Sequence, residues 1–426
     1  MSNTLTPSGL QSSAGLYGSC GVYQFDRNGA IFNPLDLNPY LLFDAESSMI
    51  GTLENPTLDL DPTKQESLDV ITATRAGTAT FVNLDGEIEI AQPDTVRVDS
   101  SLGYPAILVE PSATNNVTNT DFSTWANSSS NDSVGSAAPY GNFTKIKPSG
   151  NSSDAGVYKF ISLASGALTQ SCYAKFAGKH LAVLSAGKWT GYFNLQSGTA
   201  TGTGASIQPV GNGVFRCSVT GTDSSSSTHA IKFLVVDAVG SNAVTETGVD
   251  GVEIAMPQVE EGAVATSFIP TSGGDAAART RAADSLVISG SAFSSFYNQS
   301  EGTIYAEFVP KLESLDATLF NFSDGSNFNR IMSLTKFYHI FVTTSGNTQV
   351  QFASGSVSLN NLNRLAASFK TNDCVLSLNG SSEVVDSSMA MPSINQINIG
   401  ARFGGTEHLQ GHIRRLLYWP VSSDSL

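Results

Sequence analysis

The chain has 426 residues, of which 40% are hydrophobic, enough for two or three domains with cores of their own. Its formal net charge is −15 with only 14% of residues charged. No cluster of Lys and Arg is present to release counterions from phosphates, which excludes a nucleic-acid grip, and the acidic balance disfavours insertion into anionic membranes. No apolar run nears the ~18 residues a spanning helix needs. The opening MSNTLTPSGLQ lacks a basic stretch followed by an apolar one, so no secretory signal is expected.

In chain order, residues 1–54 fit no periodic template: Pro34 and Pro39 interrupt NPLDLNPYLLFDAESSMI, and scattered Tyr, Phe and Leu suggest order gained against a partner. This segment is expected to anchor or assemble the protein; a merely flexible terminus is the alternative. Residues 55–115 read as extended strands and a hairpin, TATFVNLDGEIEIA alternating around the Asp85–Gly86 turn, followed by the apolar run Ile107, Leu108 and Val109. Residues 116–270 carry strand candidates separated by turn clusters, from FTKIKP and GVYKFISL to HAIKFLVVDA and GVEIAMPQVEEG, the spacing of an antiparallel jelly-roll sandwich. In the last of these, Val252, Ile254, Met256 and Val259 supply the apolar positions. TSGGDAAARTRAAD, residues 271–284, is expected to be a flexible linker. Residues 285–426 give a second sandwich, from GTIYAEFVP to GHIRRLLYWPV.

Two phrases carry a resemblance. VEIAMPQVEEGAVATSFIPTSGG at 252–274, with TRAAD at 280–284, resembles a seam between β-sandwich modules in tailed-phage virion proteins, and ITATRAGTATFVNLDGEIEIAQPDTVRVDSSLGYPAILVEPSATN at 71–115 is similar to a segment that opens the same proteins. The first sandwich resembles jelly-roll carbohydrate-binding modules. The second resembles laminin-G or concanavalin-A-like domains, through the closing pattern of Gly411, Ile413, Leu416, Leu417 and Tyr418. The resemblance implies two antiparallel jelly-roll sandwiches after an extended N-terminal segment, in a non-enzymatic virion protein made in the host cytoplasm. It implies a tail fibre or receptor-binding appendage, homo-oligomeric and trimeric first, which joins other virion proteins through residues 1–54 and contacts a host cell-surface glycan. A capsid decoration or baseplate protein, using the sandwiches as protein-docking surfaces, is the alternative.

Catalytic signals are weak. The sequence has no GxSxG, HExxH or P-loop. The pairs Asp59/Asp61, Glu87/Glu89 and Glu260/Glu261 read as solvated turns or strand faces, with nothing to set any of them against a second acid across a cleft. His408 and His412 lie four apart in a Gly-rich strand-turn-strand region, a poor metal pair. Cys20, Cys172, Cys217 and Cys374 form no CxxC and read as free thiols. Asp324 and Asp373 are turn acids; a laminin-G-like calcium at one rim is the only cofactor the resemblance offers, and a plain Asx turn is the simpler reading. Sugar binding needs flat rings beside amides and carboxylates. Tyr140, Trp189, Tyr192 and Trp125 are the candidates, with the alternative that Trp125, like Phe122, plugs the sandwich edge.

Overall fold

The computed structural model describes residues 55–426 apart from 119, 121, 123–124, 128–129, 139–140, 186, 272–276, 313–316, 337–338, 382 and 424–425. The expected anchor, residues 1–54, lies outside the described residues. The architecture is mainly antiparallel β, as composition and turn spacing required. The helices Gln65–Leu68 and Gly290–Ser294 are single turns.

Residues 126–261 make the first sandwich. Sheet I runs in the order Ala205–Gly211, Val214–Asp223, Gly166–Ala177, Gly251–Glu261, Gly141–Lys147, Ser130–Ala138. Sheet II runs Thr199–Thr201, Trp189–Asn194, His180–Ser185, Ser227–Val236, Gly156–Leu163, Ala126–Asn127. Alternation decides what goes inside: Val157, Ile161 and Leu163 of one strand and Ile231, Phe233 and Val235 of its neighbour meet Cys172, Ile254 and Val259 of the opposite sheet. The expected four-residue apolar set of the last strand needs one correction. The register shifts between Ser171 and Tyr173, and Met256 adopts φ 55°, so a bulge reverses the parity. Val252, Ile254 and Val259 face the core, whereas Met256 packs outside it with Val82, Ile88 and Phe268.

The second sandwich is built from two separated parts of the chain. Sheet III runs Val384–Asp386, Asp373–Leu378, Asn363–Lys370, Glu301–Pro310, Gly411–Trp419, Ala106–Val109, Val98–Asp99, with Leu58–Leu60 also paired to Gly411–Trp419. Sheet IV begins with Thr72–Thr74 and continues through Ser285–Ser289, Gln396–Ile399, Thr318–Ser323, Arg330–Leu334, Ile340–Thr344 and Asn347–Phe352. Its core takes Leu58, Leu60, Ile71, Ile107 and Val109 together with Phe308, Phe322, Phe369 and Tyr418. Residues 55–115 are therefore not a free-standing extended segment. They contribute four strands to the second sandwich, and the first sandwich is inserted between these and the rest. Each of these strands is two to four residues long, too short to bury its apolar face without a partner.

The expected linker over 271–284 also needs correction at its C-terminal end. Arg279–Arg281 pairs with Ala113–Asn115, so the outgoing and returning chains form a ladder where they cross between the sandwiches. Residues 272–276 lie outside the described residues.

Candidate functional site

Beside that ladder sits a buried ion cluster. Arg97, 1% exposed, contacts Glu110 Oε2 at 2.9 Å and forms a very short bond to Asp284. Arg75 Nη1 reaches Asp284 Oδ1 at 3.0 Å and Arg281 Nη2 reaches Glu110 Oε2 at 3.4 Å. The backbone N–H of Glu110 donates to Asp284 at 2.9 Å, and Ser267 donates both its N–H and hydroxyl to Glu110, at 2.8 and 2.7 Å. Burial pushes the Glu110 carboxyl up, but Arg281 and Arg97 outweigh it and hold the group far below the usual carboxylate range. Asp99 follows the same logic. Burial raises it, and the bond from His412 Nε2 (2.9 Å) with the Ser101 contacts brings it far below its ordinary value. Burial in turn depresses His412, against the pull of Asp99. The neutral ring therefore donates to an ionised carboxylate.

The hairpin Ala79–Val82 and Ile88–Ala91 straps this region to the outer face of sheet I. Its Asp85–Gly86 turn docks on the turn after Ala205–Gly211, with Asn212 Nδ2 donating to Asp85 O at 3.0 Å. Gly86 has φ +77°, and a Cβ there would sit 2.5 Å from Val210 O, so glycine is required by both backbone and contact. A cavity of about 400 Å³ lies under the strap, floored by Val214–Asp223 and closed on one side by Lys311 and Asn360 of the second sandwich.

The outer face of sheet II is the contrasting surface. Phe160 is 65% exposed, edge-on to Tyr158 at a centroid distance of 5.8 Å. Lys232 Nζ lies 5.8 Å from the Tyr158 centroid and contacts both oxygens of Asp154, at 2.7 and 2.8 Å. A flat apolar ring beside a fixed cation and carboxylate can stack on a sugar face and bond its hydroxyls.

The aromatics singled out from sequence do not form one platform. Trp125 is 6% exposed and packs on Phe122 and Phe233, at 5.2 and 5.5 Å between centroids; it is the edge plug. Trp189 packs against the same core and stands 5.4 Å from His229, over Gly221 where any side chain would collide. Tyr192, three residues on, is on the opposite face of its strand, over Ala182, Leu184, Leu234 and Val236, and its hydroxyl donates to Asn242 at 2.9 Å. Tyr140 lies outside the described residues. Tyr158 and Phe160 were overlooked, although GVYKFISL holds the signal: Val157, Ile161 and Leu163 share one parity and the two rings the other.

The acids have partners. Asp59 receives Arg415 at 2.8 and 2.7 Å, and Asp61 lies 3.3 Å from the same guanidinium. Glu89 accepts from Asn83 at 2.7 Å. Glu260 is not a solvated strand end: it is buried, bonded to Thr266, and pushed up by burial. Asp324 accepts from Ser326 and Asn329 at 2.6 and 2.8 Å, the bonds of a turn acid, and Asp373 lies 3.2 Å from Lys370. Among the described residues there is no group of three or more His, Cys, Asp or Glu placed to hold a metal, and no helix long and apolar enough to cross a membrane. Cys172, Cys217 and Cys374 are buried free thiols, the first two register partners on adjacent strands.

No family model and no curated protein matches the chain. Solved structures similar to it include domains LG4-5 of the mouse laminin alpha1 chain, with 12% identity, TM-score 0.24, covering 67% of this chain and 91% of that one. The tripod from the baseplate of bacteriophage Tuc2009 gives 14% identity and TM-score 0.21 over 76% of this chain and 99% of the other. The LG1-3 region of the laminin alpha2 chain gives 9% and 0.20 over 65% and 62%. Likenesses this distant carry no argument about ligand, partner or location.

Proposed function

We propose that the chain is a non-enzymatic virion protein, a tail fibre or receptor-binding appendage, that contacts a host surface glycan through the outer face of sheet II. The observation that carries this reading is the exposed Phe160 beside Tyr158 and the Lys232–Asp154 pair. Residues 1–54 serve in this reading to attach the chain to other virion proteins, and trimerisation lets weak sites act together by avidity. The phrases at 71–115 and 252–284 support the virion assignment by resemblance.

The test is host-cell adsorption by particles carrying Phe160→Ala or Tyr158→Ala. A loss of adsorption of about tenfold or more with unchanged thermal unfolding is expected for a stacked anchor. Unchanged adsorption by both variants overturns the assignment of this face. A second reading, a decoration or baseplate protein that docks on neighbours, is favoured by Phe328, which is equally exposed at 65% on the second sandwich. Loss of particle incorporation in Phe328→Ala, with adsorption unaffected by Phe160→Ala, selects it.

A further inference from the structure

The cavity under the hairpin strap belongs to neither sheet-II rings nor sandwich cores, and its lining is chemically uneven. The floor is the outer face of sheet I, where register places Ser206 opposite Ser218 and Gln208 opposite Arg216. Thr220, one step along the same face, already bonds Thr169 at 2.8 Å and Ala263 O at 3.2 Å. Ser206 and Ser218 make no side-chain hydrogen bond among the described residues. Gln208 Nε2 donates to Ser101 O at 3.0 Å, which leaves its carbonyl oxygen as an acceptor. Facing pairs on adjacent strands stand about 5 Å apart, close to the width of a pyranose ring. Phe81 supplies an apolar wall.

The charges point the same way. Arg216 lies over the Tyr173 ring at 4.6 Å and uses Nη2 on Ser171 Oγ (2.7 Å) and Thr266 O (3.3 Å). Its Nε is buried out of reach, which leaves Nη1, without a hydrogen bond among the described residues, as the donor open to a ligand. Lys311 lines the cavity from the second sandwich, and its ammonium makes no hydrogen bond among the described residues; it acts on Asp99 and Glu110 only through space. Both those carboxylates are already committed, Asp99 to His412, Ser101 and the Val82 N–H, Glu110 to Arg97, Arg281 and Ser267. Of the charged side chains that line the cavity, Arg216 and Lys311 are cations and Asp99, already bonded, is the carboxylate, so in a chain of net charge −15 this hydroxyl-lined space carries a local excess of positive charge.

We infer that this cavity is a binding site for an acidic saccharide, one or two pyranose units carrying a carboxylate. Arg216 and Lys311 would take the carboxylate, Ser206, Ser218 and Gln208 the ring hydroxyls, and Phe81 the apolar ring face. The volume of about 400 Å³ suits a ligand of that size. The site is separate from the sheet-II face and does not rest on the adsorption reading.

The test uses the full chain titrated with digalacturonic acid, with galactobiose as the neutral control, by calorimetry and saturation-transfer difference NMR. Saturable binding of the acid at least tenfold tighter than the neutral sugar is expected, weakening as salt is raised. Lys311→Met should weaken it tenfold or more. Ser206→Trp, at an exposed edge-strand position, should fill the mouth and abolish binding while thermal unfolding stays unchanged. Absence of saturable binding to the unaltered chain, equal affinity for the neutral sugar, or binding indifferent to both variants each overturns the proposal. Because Phe160→Ala leaves this cavity intact, its adsorption result and the titration fail independently.

Discussion

The two outer faces of the first sandwich begin from the same pattern and end in opposite environments. In Val214–Asp223 and in Gly156–Leu163 alike, every second residue turns away from the core. On sheet I the outward residues are covered by the hairpin, by residues 263–268 and by the second sandwich, so Arg216, Gln258 and Glu260 work in a nearly closed space with bonded partners. On sheet II, Phe160 and Tyr158 meet solvent with the Lys232–Asp154 pair beside them. A polar face becomes a joint where it is covered and its charges are paired, and keeps room for a ligand only in the cavity beside Lys311; an aromatic face left open is available for a ligand along its whole surface. Alternation alone distinguishes inside from outside, not covered from open.

The largest effect should come from breaking the joint. Arg97→Ala leaves Glu110 and Asp284 buried with weakened compensation, and should cost about 3–5 kcal/mol in denaturant unfolding. Trp125→Ala, in the core between the sheets, should cost a similar ~3–5 kcal/mol by cavity formation. The two variants sharpen the contrast if they differ in what unfolds. The Arg97 change should loosen the crossing ladder and expose Arg281 to trypsin, and the Trp125 change should not do so before global unfolding. A loss below about 1 kcal/mol for Arg97→Ala would show that the cluster is solvated and the joint is held by apolar contacts alone.

Acid should weaken the joint in two windows. Burial depresses His412, His408 and His339, so the unfolded chain binds more protons than the folded one below pH ~6.5. Their contribution is present above that value and is lost as pH falls through the lower folded values. Asp99, Glu110 and Asp61 are also depressed, so what they contribute is complete above pH ~4–5 and is lost below it. The denaturation midpoint should therefore decline first between about pH 6.5 and 5 and again below about pH 4. His412→Gln keeps a donor for Asp99 and should shrink the first decline, with Asp99, Glu110 and Lys311 the charges acting on that position. A midpoint flat from pH 7 to 5 contradicts buried neutral histidines.

What the sequence made legible follows from how far each signal reaches. Gly156–Leu163 is an alternating strand and Gly411–Trp419 a long, largely apolar one, and the existence of both could be read locally. Leu58–Leu60 could not be assigned, because its partner is Leu416–Tyr418, at the far end of the chain. The ion cluster was hidden for the same reason. Arg75 and Arg97 lie 209 and 187 positions from Asp284, and each looks like an ordinary polar residue in its own segment. The linker expectation over 271–284 rests on small residues, and at its C-terminal end small residues flanking charges suit the paired crossing of Arg279–Arg281 equally well. Gly- and Ser-rich surroundings, the signal behind Tyr140, Trp125 and Trp189, report turns, whereas strand parity places Phe160 on the outward side of its strand.

Proteolysis tests the crossing more gently. Arg279 is exposed but Arg281 is buried and bonded to Ala282 O and Pro111 O at 3.0 and 2.7 Å. Trypsin under native conditions should leave the bond after Arg281 intact until the ladder opens. Early cleavage there restores the flexible-linker expectation over the whole of 271–284.

The smallest stability change should fall on the open face, and that smallness is what gives it meaning. Phe160→Ala removes a ring that is mostly in water, so unfolding should shift by no more than about 0.5 kcal/mol. Tyr158→Ala should cost somewhat more, because Tyr158 is half-buried and carries Lys232 over its ring. If both variants lose adsorption while keeping their melting temperature, the open face is the contact surface and its aromatics are held there for a ligand. If Phe160→Ala instead lowers the melting temperature of assembled particles but not of the isolated chain, the ring is covered by a neighbouring subunit. The second outcome would make sheet II, like sheet I, a joint, and the difference between the two faces would then be one of when each is covered during assembly.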